Sequence, residues 1–445
     1  AWRISEEPFL KEWGGVEQLK LRLSYGKTGN SNIPEFQYMA RMGNSFYADA
    51  LGLVPSSLPN PKLKWEATAQ YNAGLDLTTK NGVINLTVDM YEKHTSDMLY
   101  LAIIPAQSGF KNQWQNLGRV DNRGIEITLN TKNINKSDFL WSSSVTLSAN
   151  RNKVREIGNG LDEAPIGAGS WSLSYIKLND VGRIRVGEPI GMMYGYQMDG
   201  IYQMEDFEGW IDKTGTLSPN DSNIPWQERN WVLKQGVVDP GNLGAARPGT
   251  LKFKNLDGSA DNKITEDDKT IIGQSEPRLY GGIGNNLSYK NFDFTCFFTY
   301  SLGGDVFNST KFELEGGYPG EYYNITKDFW ENRWTPDNPT NERPSYSDIG
   351  YYNSLAALPS SYYVEKASYL RLQNVSLSYR LPQGVATSMG VSNIKLYYSG
   401  NNLFTITPYS GYTPEVDSGN ALLTGFDFIG YPRASSHILG VNLTF

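Results

Sequence analysis

Hydrophobic and polar residues alternate along most of the chain, and helical spacing is scarce. The final segment "HILGVNLTF" places Leu439, Val441, Leu443 and Phe445 on one face of a strand, with mostly small or polar residues on the other. In "QLKLRLSYGKT", three leucines and Tyr25 alternate with charged or small polar residues. These segments are predicted to be β-strands with one apolar and one hydrophilic face.

The stretch from Trp65 to Met90 predicts a long β-hairpin. Apolar alternation leads into Asn81-Gly82, a dipeptide that readily adopts the positive φ angles of a tight turn, and then resumes at Ile84. Six more segments carry the same pattern: residues 124–131, 141–151, 279–289, 292–300, 369–379 and 394–404. With the closing segment, the pattern predicts about twelve to fourteen strands and an all-β fold class.

The second face of these strands is too hydrophilic for a dry core. It carries Glu126, Asp293 and Arg371, and polar groups that are buried without partners are costly. Three connections are long and are expected to be structureless, which argues against a compact globular domain: residues 156–180, 203–277 and 302–361. Short turns at one end and long loops at the other are typical of a transmembrane antiparallel β-barrel with a wet interior.

Composition narrows the functional class. The balance of 40 basic against 47 acidic residues gives no support for nucleic-acid binding. A single cysteine, Cys296, excludes an internal disulfide framework. The mean hydropathy of -0.46 is compatible with a membrane barrel, because barrel strands are only half apolar. The 28 tyrosines suit either an interfacial aromatic girdle or long binding loops.

Catalytic motifs are weak, and no enzyme is predicted. "GKT" at Gly26 to Thr28 resembles the end of a phosphate-binding loop, but Leu21 occupies the position of the first required glycine. The two histidines, His94 and His437, each lie alone in a strand-like segment, where polar interior or interface roles are more common than catalysis.

The acidic segment "DGSADNKITEDD" resembles a twelve-residue calcium-binding loop. The predicted ligands are Asp257, Ser259, Asp261, the carbonyl of Lys263, Thr265 and Asp268. Three positions depart from the pattern, because Ser259 is a weak ligand, Asp268 replaces a longer Glu, and Asn262 stands where Gly is usual. Asn can adopt the left-handed conformation that this turn needs. A plain acidic surface loop is the alternative interpretation.

Aromatic residues are concentrated in polar, Gly/Pro-rich stretches of one predicted loop. The candidates for substrate or partner contact are Tyr318, Tyr322, Tyr323, Trp330 and Trp334. Aromatic faces stack on sugar rings or peptide side chains. The alternative is that these rings pack the loops onto one another or form an upper girdle.

Seven stretches, in order along the chain, resemble the C-terminal portion of SusC-like (RagA-like) TonB-dependent outer-membrane transporters of Bacteroidetes. They are "LSYGKTGN", "LKWEATAQYNAGLDL", "NLGRVDNRGIEI", "GEPIGMMYGYQMDGIYQ", "KASYLRLQNVSLSYRLP", "YYSGNNLFTITPYSGYTPEV" and "GYPRASSHILGVNLTF". Together they span nearly the whole chain. The resemblance implies that residues 1–445 form the C-terminal part of a barrel of about 22 strands with long extracellular loops, and that the plug and first strands lie outside this chain.

The same resemblance implies a function and partners. The protein would be a TonB-energised importer of a large nutrient, either an oligosaccharide (glycan) or a peptide, in the bacterial outer membrane. Its partners would be a SusD-like surface lipoprotein, the N-terminal plug and barrel segment, TonB by way of that segment, and outer-membrane lipid, with no nucleic acid. The last strand, Leu439 to Phe445, would be the segment recognised during barrel insertion.

Two alternatives remain at this stage. One is a non-transporting barrel that anchors adhesive or ligand-binding surface loops, which a plug and TonB box on the remaining polypeptide would argue against. The other is a periplasmic all-β binding module, which the wet second face disfavours.

Overall fold

The fold is known from a computed structural model of the whole chain. It describes residues 1–445 except 12–13, 48–49, 105, 111, 117, 167–180, 212–214, 219–224, 227–228, 318–323, 347–354, 417–420 and 429.

One large antiparallel sheet forms a wall of eleven strands, and each strand pairs with the next along the chain. The strands are β1 (Trp2–Arg3), β2 (Val16–Asn30), β3 (Glu66–Thr79), β4 (Ile84–Ser96), β5 (Arg119–Asn135), β6 (Phe139–Glu156), β7 (Leu279–Tyr289), β8 (Phe292–Leu302), β9 (Tyr369–Arg380), β10 (Asn393–Ile406) and β11 (Ser436–Thr444). All ten segments named as strands from the sequence lie in this wall, and most extend a few residues further than the sequence indicated. Among the described residues the wall has eleven strands, slightly fewer than the twelve to fourteen expected.

The pairing register aligns the apolar residues into one continuous face. For example, Leu75 of β3 lies between Leu21 of β2 and Val88 of β4, and Val88 pairs in turn with Ile127. In the last strand of the sheet, Val441 of β11 lies on the same face. Because side chains alternate, the hydrophilic residues of every strand collect on the opposite, inner face.

Connections alternate strictly in length, which defines a turn end and a loop end of the wall. At the turn end, β3 and β4 are joined through Asn81 and Gly82, whose φ angles of 61° and 58° confirm the predicted tight turn. Outward-facing aromatic rings lie at this end, including Phe292 and Tyr379, whose centroids are 4.5 Å apart. They form an aromatic girdle of the kind found at a membrane interface.

The loop end carries much more regular structure than the sequence predicted. Short strands lie at Arg41–Tyr47, Ala50–Ser57, Leu99–Ile103, Asn112–Asn116, Glu163–Ile166, Gly182–Arg185, Met192–Tyr196, Met198–Ile201, Phe207–Ile211, Leu217–Ser218, Asn230–Leu233, Leu251–Phe253, Lys269–Gln274, Asp305–Asn308, Val364–Lys366 and Phe426–Asp427. Short α-helices lie at Pro8–Lys11, Ser309–Phe312, Lys327–Asn332 and Gln383–Ser388. All of these helices except Pro8–Lys11 and Gln383–Ser388 lie at the loop end. The expectation of structureless connections is therefore wrong.

The main hydrophobic core lies among these loops rather than in the wall. It joins residues from three separate connections, including Tyr196, Phe253, Phe307, Trp334 and Phe426, all fully or almost fully buried. We call this packed unit the loop cap. The alternation pattern does not reveal the loop cap because each contributing segment is only two to six residues long, too short to show a period.

Candidate functional site

The inner face of the wall is a hydrogen-bonded polar surface. The guanidinium of Arg22 donates to both carboxylate oxygens of Asp76, at 2.8 and 3.0 Å, and to Asp89 at 2.9 Å. Gly74 lies between them, since a Cβ there would come within 2.6 Å of the Arg22 guanidinium. The three charged groups thereby pair with one another across neighbouring strands, in agreement with the hydrophilic second face expected from the sequence.

A cavity of about 580 Å³ lies where this inner face meets the loop cap. Its lining combines amides, carboxylates and aromatic rings: Asn122, Asn150, Asn152, Glu276, Tyr280, Asp305, Tyr369 and Glu415 are among its residues. A cavity of this size with a few convergent polar groups is the usual form of a small-ligand site.

A relay of hydrogen bonds orders one side of the cavity. Tyr91 donates its hydroxyl to the side-chain oxygen of Asn150 at 3.0 Å, and Asn150 donates to Glu276 at 2.8 Å. Glu276 also accepts the backbone N–H of Asn152 at 3.4 Å. These contacts hold the Asn150 amide and the Glu276 carboxylate in one orientation towards the cavity.

The opposite side is ordered by Arg371, which is almost fully buried. Arg371 donates to Glu415 and, at 2.9 Å, to Thr405, while the Tyr369 hydroxyl donates to Glu415 at 2.8 Å. Arg433 adds a second cation 3.3 Å from the same carboxylate. Arg371 therefore ties the 407–435 connection to the wall beneath it.

Chemically, this cavity offers fixed hydrogen-bond acceptors and donors, and its described lining residues form no arrangement of nucleophile and base. It suits binding of a polar solute rich in hydroxyl or amide groups. The sequence pattern placed Arg371 on this face but gave no indication of Glu276 and Glu415, because both lie in connections with no periodic pattern. A signal was present in Asn150, which follows the apolar-face residue Ala149 in a predicted strand.

The aromatic candidates of the loop take different positions. Trp334 is 1% exposed, donates its indole N–H to Gln203 at 2.8 Å, and packs 5.1 Å from the ring of Trp226. It holds the loop cap together, which is the alternative that the sequence left open. Trp330 is 48% exposed and is covered on one face by the guanidinium of Arg333. Tyr318, Tyr322 and Tyr323 lie outside the described residues.

A buried charge network stiffens the loop cap near these aromatics. Lys311 lies 3.7 Å from Glu365 and stacks over the Tyr362 ring, and Tyr362 donates to Glu315 at 3.1 Å. Arg343 pairs with Glu315 at 2.8 Å. Burial lowers the pKa of Lys311, although the nearby carboxylates oppose this, and burial together with Glu315 raises the pKa of Tyr362.

The predicted calcium loop folds into a compact turn in which Asn262 has φ 57°, the left-handed conformation expected for it. The buried carboxylate of Asp268 accepts backbone N–H groups of Leu256, Asp257 (3.0 Å) and Thr265 (2.7 Å). The Asp261 carboxylate accepts from Ser259 at 2.8 Å and from the N–H of Lys263 at 3.2 Å. Across the described ranges, no three His, Cys, Asp or Glu side chains are grouped to hold a metal.

The apolar face of the last strand is largely exposed. Leu439, Val441 and Phe445 are 83%, 62% and 90% exposed. Leu443 shares their face and is 45% exposed. The two histidines have polar partners, His94 beside Asp121 at 2.8 Å and His437 beside the Tyr398 hydroxyl at 2.9 Å.

Within the described part of the chain, no helix is both long and apolar enough to cross a membrane. An outward apolar face with an aromatic girdle, an inner polar face and a loop cap at one end together define the wall of an outer-membrane β-barrel.

Comparison with known proteins identifies the class further. Residues 12–203 match the family model described as TonB dependent receptor-like, beta-barrel. The whole chain is 32% identical to 41% of TonB-dependent receptor P3 of Formosa agariphila, and 28% identical to 39% of TonB-dependent receptor SusC of Bacteroides thetaiotaomicron. The solved structure of the RagAB peptide transporter matches this chain with a TM-score of 0.74 and 25% identity. The match covers all of this chain and 42% of the RagAB chain.

The resemblance to the C-terminal barrel portion of SusC-like (RagA-like) TonB-dependent transporters is thereby confirmed. The chain is part of a β-barrel protein of the bacterial outer membrane with long extracellular loops, so the loop end faces the cell exterior. It spans about two fifths of the length of the curated relatives that it matches.

Proposed function

We propose that this chain supplies the wall, the outer loops and part of the cargo-binding cavity of a TonB-energised importer of a large polar nutrient. The observation that carries the proposal is the cavity of about 580 Å³ on the inner face beneath the loop cap. It combines ordered amides with two carboxylates, Glu276 and Glu415, that are already held by neighbouring side chains. Such a lining recognises the hydroxyls of an oligosaccharide or the backbone amides of a peptide.

The partners of the proposed importer follow from its relatives. A SusD-like surface lipoprotein would cover the extracellular loop cap and deliver cargo to the cavity. Energy would enter through TonB acting on a plug carried by a segment outside this chain. The RagAB relative, a solved peptide transporter, supports a peptide as one cargo class. A glycan is the other class, which the family resemblance implies.

The test uses the full-length protein in its native membrane. Asn122→Trp places a bulky ring into the cavity from β5, while Asn130→Trp, on the same face of the same strand, lies towards the turn end and outside the cavity. We expect the Asn122 variant to lose at least about tenfold in cargo affinity, equivalent to roughly 1.4 kcal/mol, and the Asn130 variant to bind normally.

The readout is cargo extracted from the detergent-purified complex and identified by mass spectrometry, which also reveals any lipoprotein that purifies with it. Oligosaccharide or peptide bound to the wild type and to the Asn130 variant, but not to the Asn122 variant, supports the proposal. Equal cargo in all three proteins would place the binding site elsewhere. A complex without any cargo or lipoprotein would favour the anchoring alternative.

A further inference from the structure

The outward face of the wall changes character abruptly on one side of the barrel. In β5 and β6 the outward positions nearest the turn end are mostly apolar, as far as Ile125 and Ala149, and beyond them they become charged. The part of β6 whose outward positions are mostly apolar, residues 139–149, is eleven residues long. A tilted strand crosses the hydrocarbon layer in about 9–11 residues, so Arg123 and Arg151 stand at the level of the outer-leaflet headgroups.

A basic belt lies at this level and just above it. Its members are Lys27, Arg119, Arg123, Arg151, Lys153 and Arg155, which the strand register places on the same outward face of β2, β5 and β6. Among the described residues, three acidic residues share this face at the belt: Glu92, Asp121 and Glu156, which pairs with Arg119 across a bulge. Glu92 pairs with Arg123 at 2.8 Å, and Asp121 is enclosed by Arg155 at 2.6 Å and His94.

Several cations of the belt keep charge available to a ligand. The Arg151 guanidinium donates to the backbone carbonyls of Asn150 and Pro277, at 2.7 and 3.3 Å, which does not neutralise it. Arg123 is 64% exposed despite its bond to Glu92. The belt as a whole is therefore an excess of positive charge facing the outer leaflet.

A groove of about 940 Å³ runs directly beneath the belt. Its lining is mostly apolar and includes Leu23, Tyr25, Tyr71, Ala73, Met90, Ile125 and Ala149. Arg123, Arg151 and the Glu92 carboxylate that pairs with Arg123 form its charged rim. The rings of Tyr25 and Tyr71, with centroids 5.0 Å apart, bound it on one side.

The other side of the wall lacks this arrangement. At the loop ends of β7 to β10, the corresponding outward residues are Leu279, Leu302, Leu370 and Ile406. A belt that only marked the headgroup level would continue around the barrel, so the localised charge indicates a specific contact.

We propose that the groove and the basic belt form a binding site for a phosphorylated lipid of net negative charge in the outer leaflet, with an acyl chain in the groove and its phosphate against Arg123 and Arg151. Arginine suits this role because its planar guanidinium binds phosphate oxygens in pairs. The apolar groove suits a lipid acyl chain, and the basic rim suits a phosphorylated headgroup. A single amphipathic ligand would therefore occupy both.

The experiment uses the full-length protein purified in detergent and incubated with diphosphorylated lipid A, with phosphatidylcholine, or with inorganic phosphate. Native mass spectrometry then counts bound lipid on four forms. These are the wild type, Arg123→Gln/Arg151→Gln, the groove-filling Ala73→Trp, and a control with the same charge change at exposed loop lysines, Lys62→Gln/Lys327→Gln. Heat-modifiable migration on gels verifies that each variant is a folded barrel.

The site predicts that lipid A is retained by the wild type and the control, and that retention falls at least about tenfold in both the arginine and the Ala73 variants. Phosphatidylcholine, whose phosphate is balanced by a choline cation, should not be retained in place of lipid A. Equal retention by all four forms would overturn the proposal, and so would displacement of lipid A by millimolar inorganic phosphate, because the site would then recognise free phosphate rather than a lipid.

Discussion

Gly74 shows how a single residue allows charged groups to pair on the inner wall. Its missing side chain leaves room for the Arg22 guanidinium to reach both Asp76 and Asp89. The sequence shows only a glycine in a strand, which by itself indicates a weakened position or a close approach. The strand register shows the close approach, because it places Arg22 and Asp89 opposite Gly74 and Asp76 two residues further along.

We expect Gly74→Val to disrupt this ion pair, because the added Cβ would lie 2.5 Å from an Asp89 carboxylate oxygen. Overpacking of this kind costs about 1–3 kcal/mol, and separating the charges adds to that cost. The measurement is the folded fraction of purified protein, read from heat-modifiable gel migration across a urea series. Gly26→Val is the matched control, since open space surrounds that glycine on the same inner face. Equal losses in the two variants would contradict the account.

The acidic loop illustrates the limit of motif reasoning at the residue scale. Its spacing predicted the turn and the left-handed Asn262, yet the Asp268 carboxylate is used to hold backbone N–H groups of the loop. Calcium binding stays a prediction. The loop's oxygen-rich sequence alone cannot separate a ligand from a structural cap, because both need the same carboxylates.

Titration of chelator-treated full-length protein with Ca²⁺ in a calorimeter tests that prediction. Binding by the loop requires a one-site isotherm that is abolished in Asp257→Asn/Asp261→Asn and retained in Asp267→Asn. Asp267 is exposed and is not among the predicted ligands. A flat titration of the wild type would leave the loop as a structural turn.

At the scale of elements, the last strand carries a clear asymmetry between its two faces. Val441 points outward in line with Leu396 of β10, whereas Asn442 points to the inner face opposite Lys395. Strand alternation in the sequence predicted this arrangement correctly, because a period of two is readable over nine residues.

A lysine at position 441 would put a charge into lipid, so we expect Val441→Lys to destabilise the barrel by about 2–4 kcal/mol if the position lies near the bilayer midplane. Asn442→Lys, one residue away on the inner face, should insert normally. The yield of heat-modifiable protein in outer-membrane fractions measures both. Normal insertion of the Val441 variant would contradict a lipid-facing last strand.

The loop cap makes a pH-dependent prediction at the same scale. Burial raises the pKa of Glu313, at the end of the helix Ser309–Phe312, above its ordinary value. The folded loop cap therefore binds the proton of the Glu313 carboxyl group more tightly than the unfolded loop does. The resulting stability is present below the unfolded pKa and is lost as the pH rises through the folded one.

We expect amide hydrogen exchange in residues 305–312 to be slower at pH 4 than at pH 7, after correction for the intrinsic exchange rates. Glu313→Gln should remove most of this difference, because its neutral side chain costs nothing further to bury at high pH. A pH dependence that is unchanged in the variant would show that other groups control the cap.

For the whole molecule, the sequence sufficed for the wall and failed for the cap. Long alternating strands such as β5 and β6 repeat their pattern enough times to be recognised without tertiary information. The cap is assembled from short segments far apart in sequence, so Phe307 meets Phe426 only in three dimensions. The proposed cargo cavity lies where the wall and the cap meet, so the sequence did not predict it either.

The central proposal is that the full-length protein, of which this chain supplies the wall, the cap and the cavity between them, imports cargo actively. The most direct measurement is accumulation of the identified cargo, radiolabelled, in living cells that carry the wild-type protein, with and without an uncoupler of the proton-motive force. Our account predicts that the uncoupler abolishes accumulation while surface binding persists. Accumulation that continues unchanged without the proton-motive force would contradict it, because the barrel would then act as a passive pore.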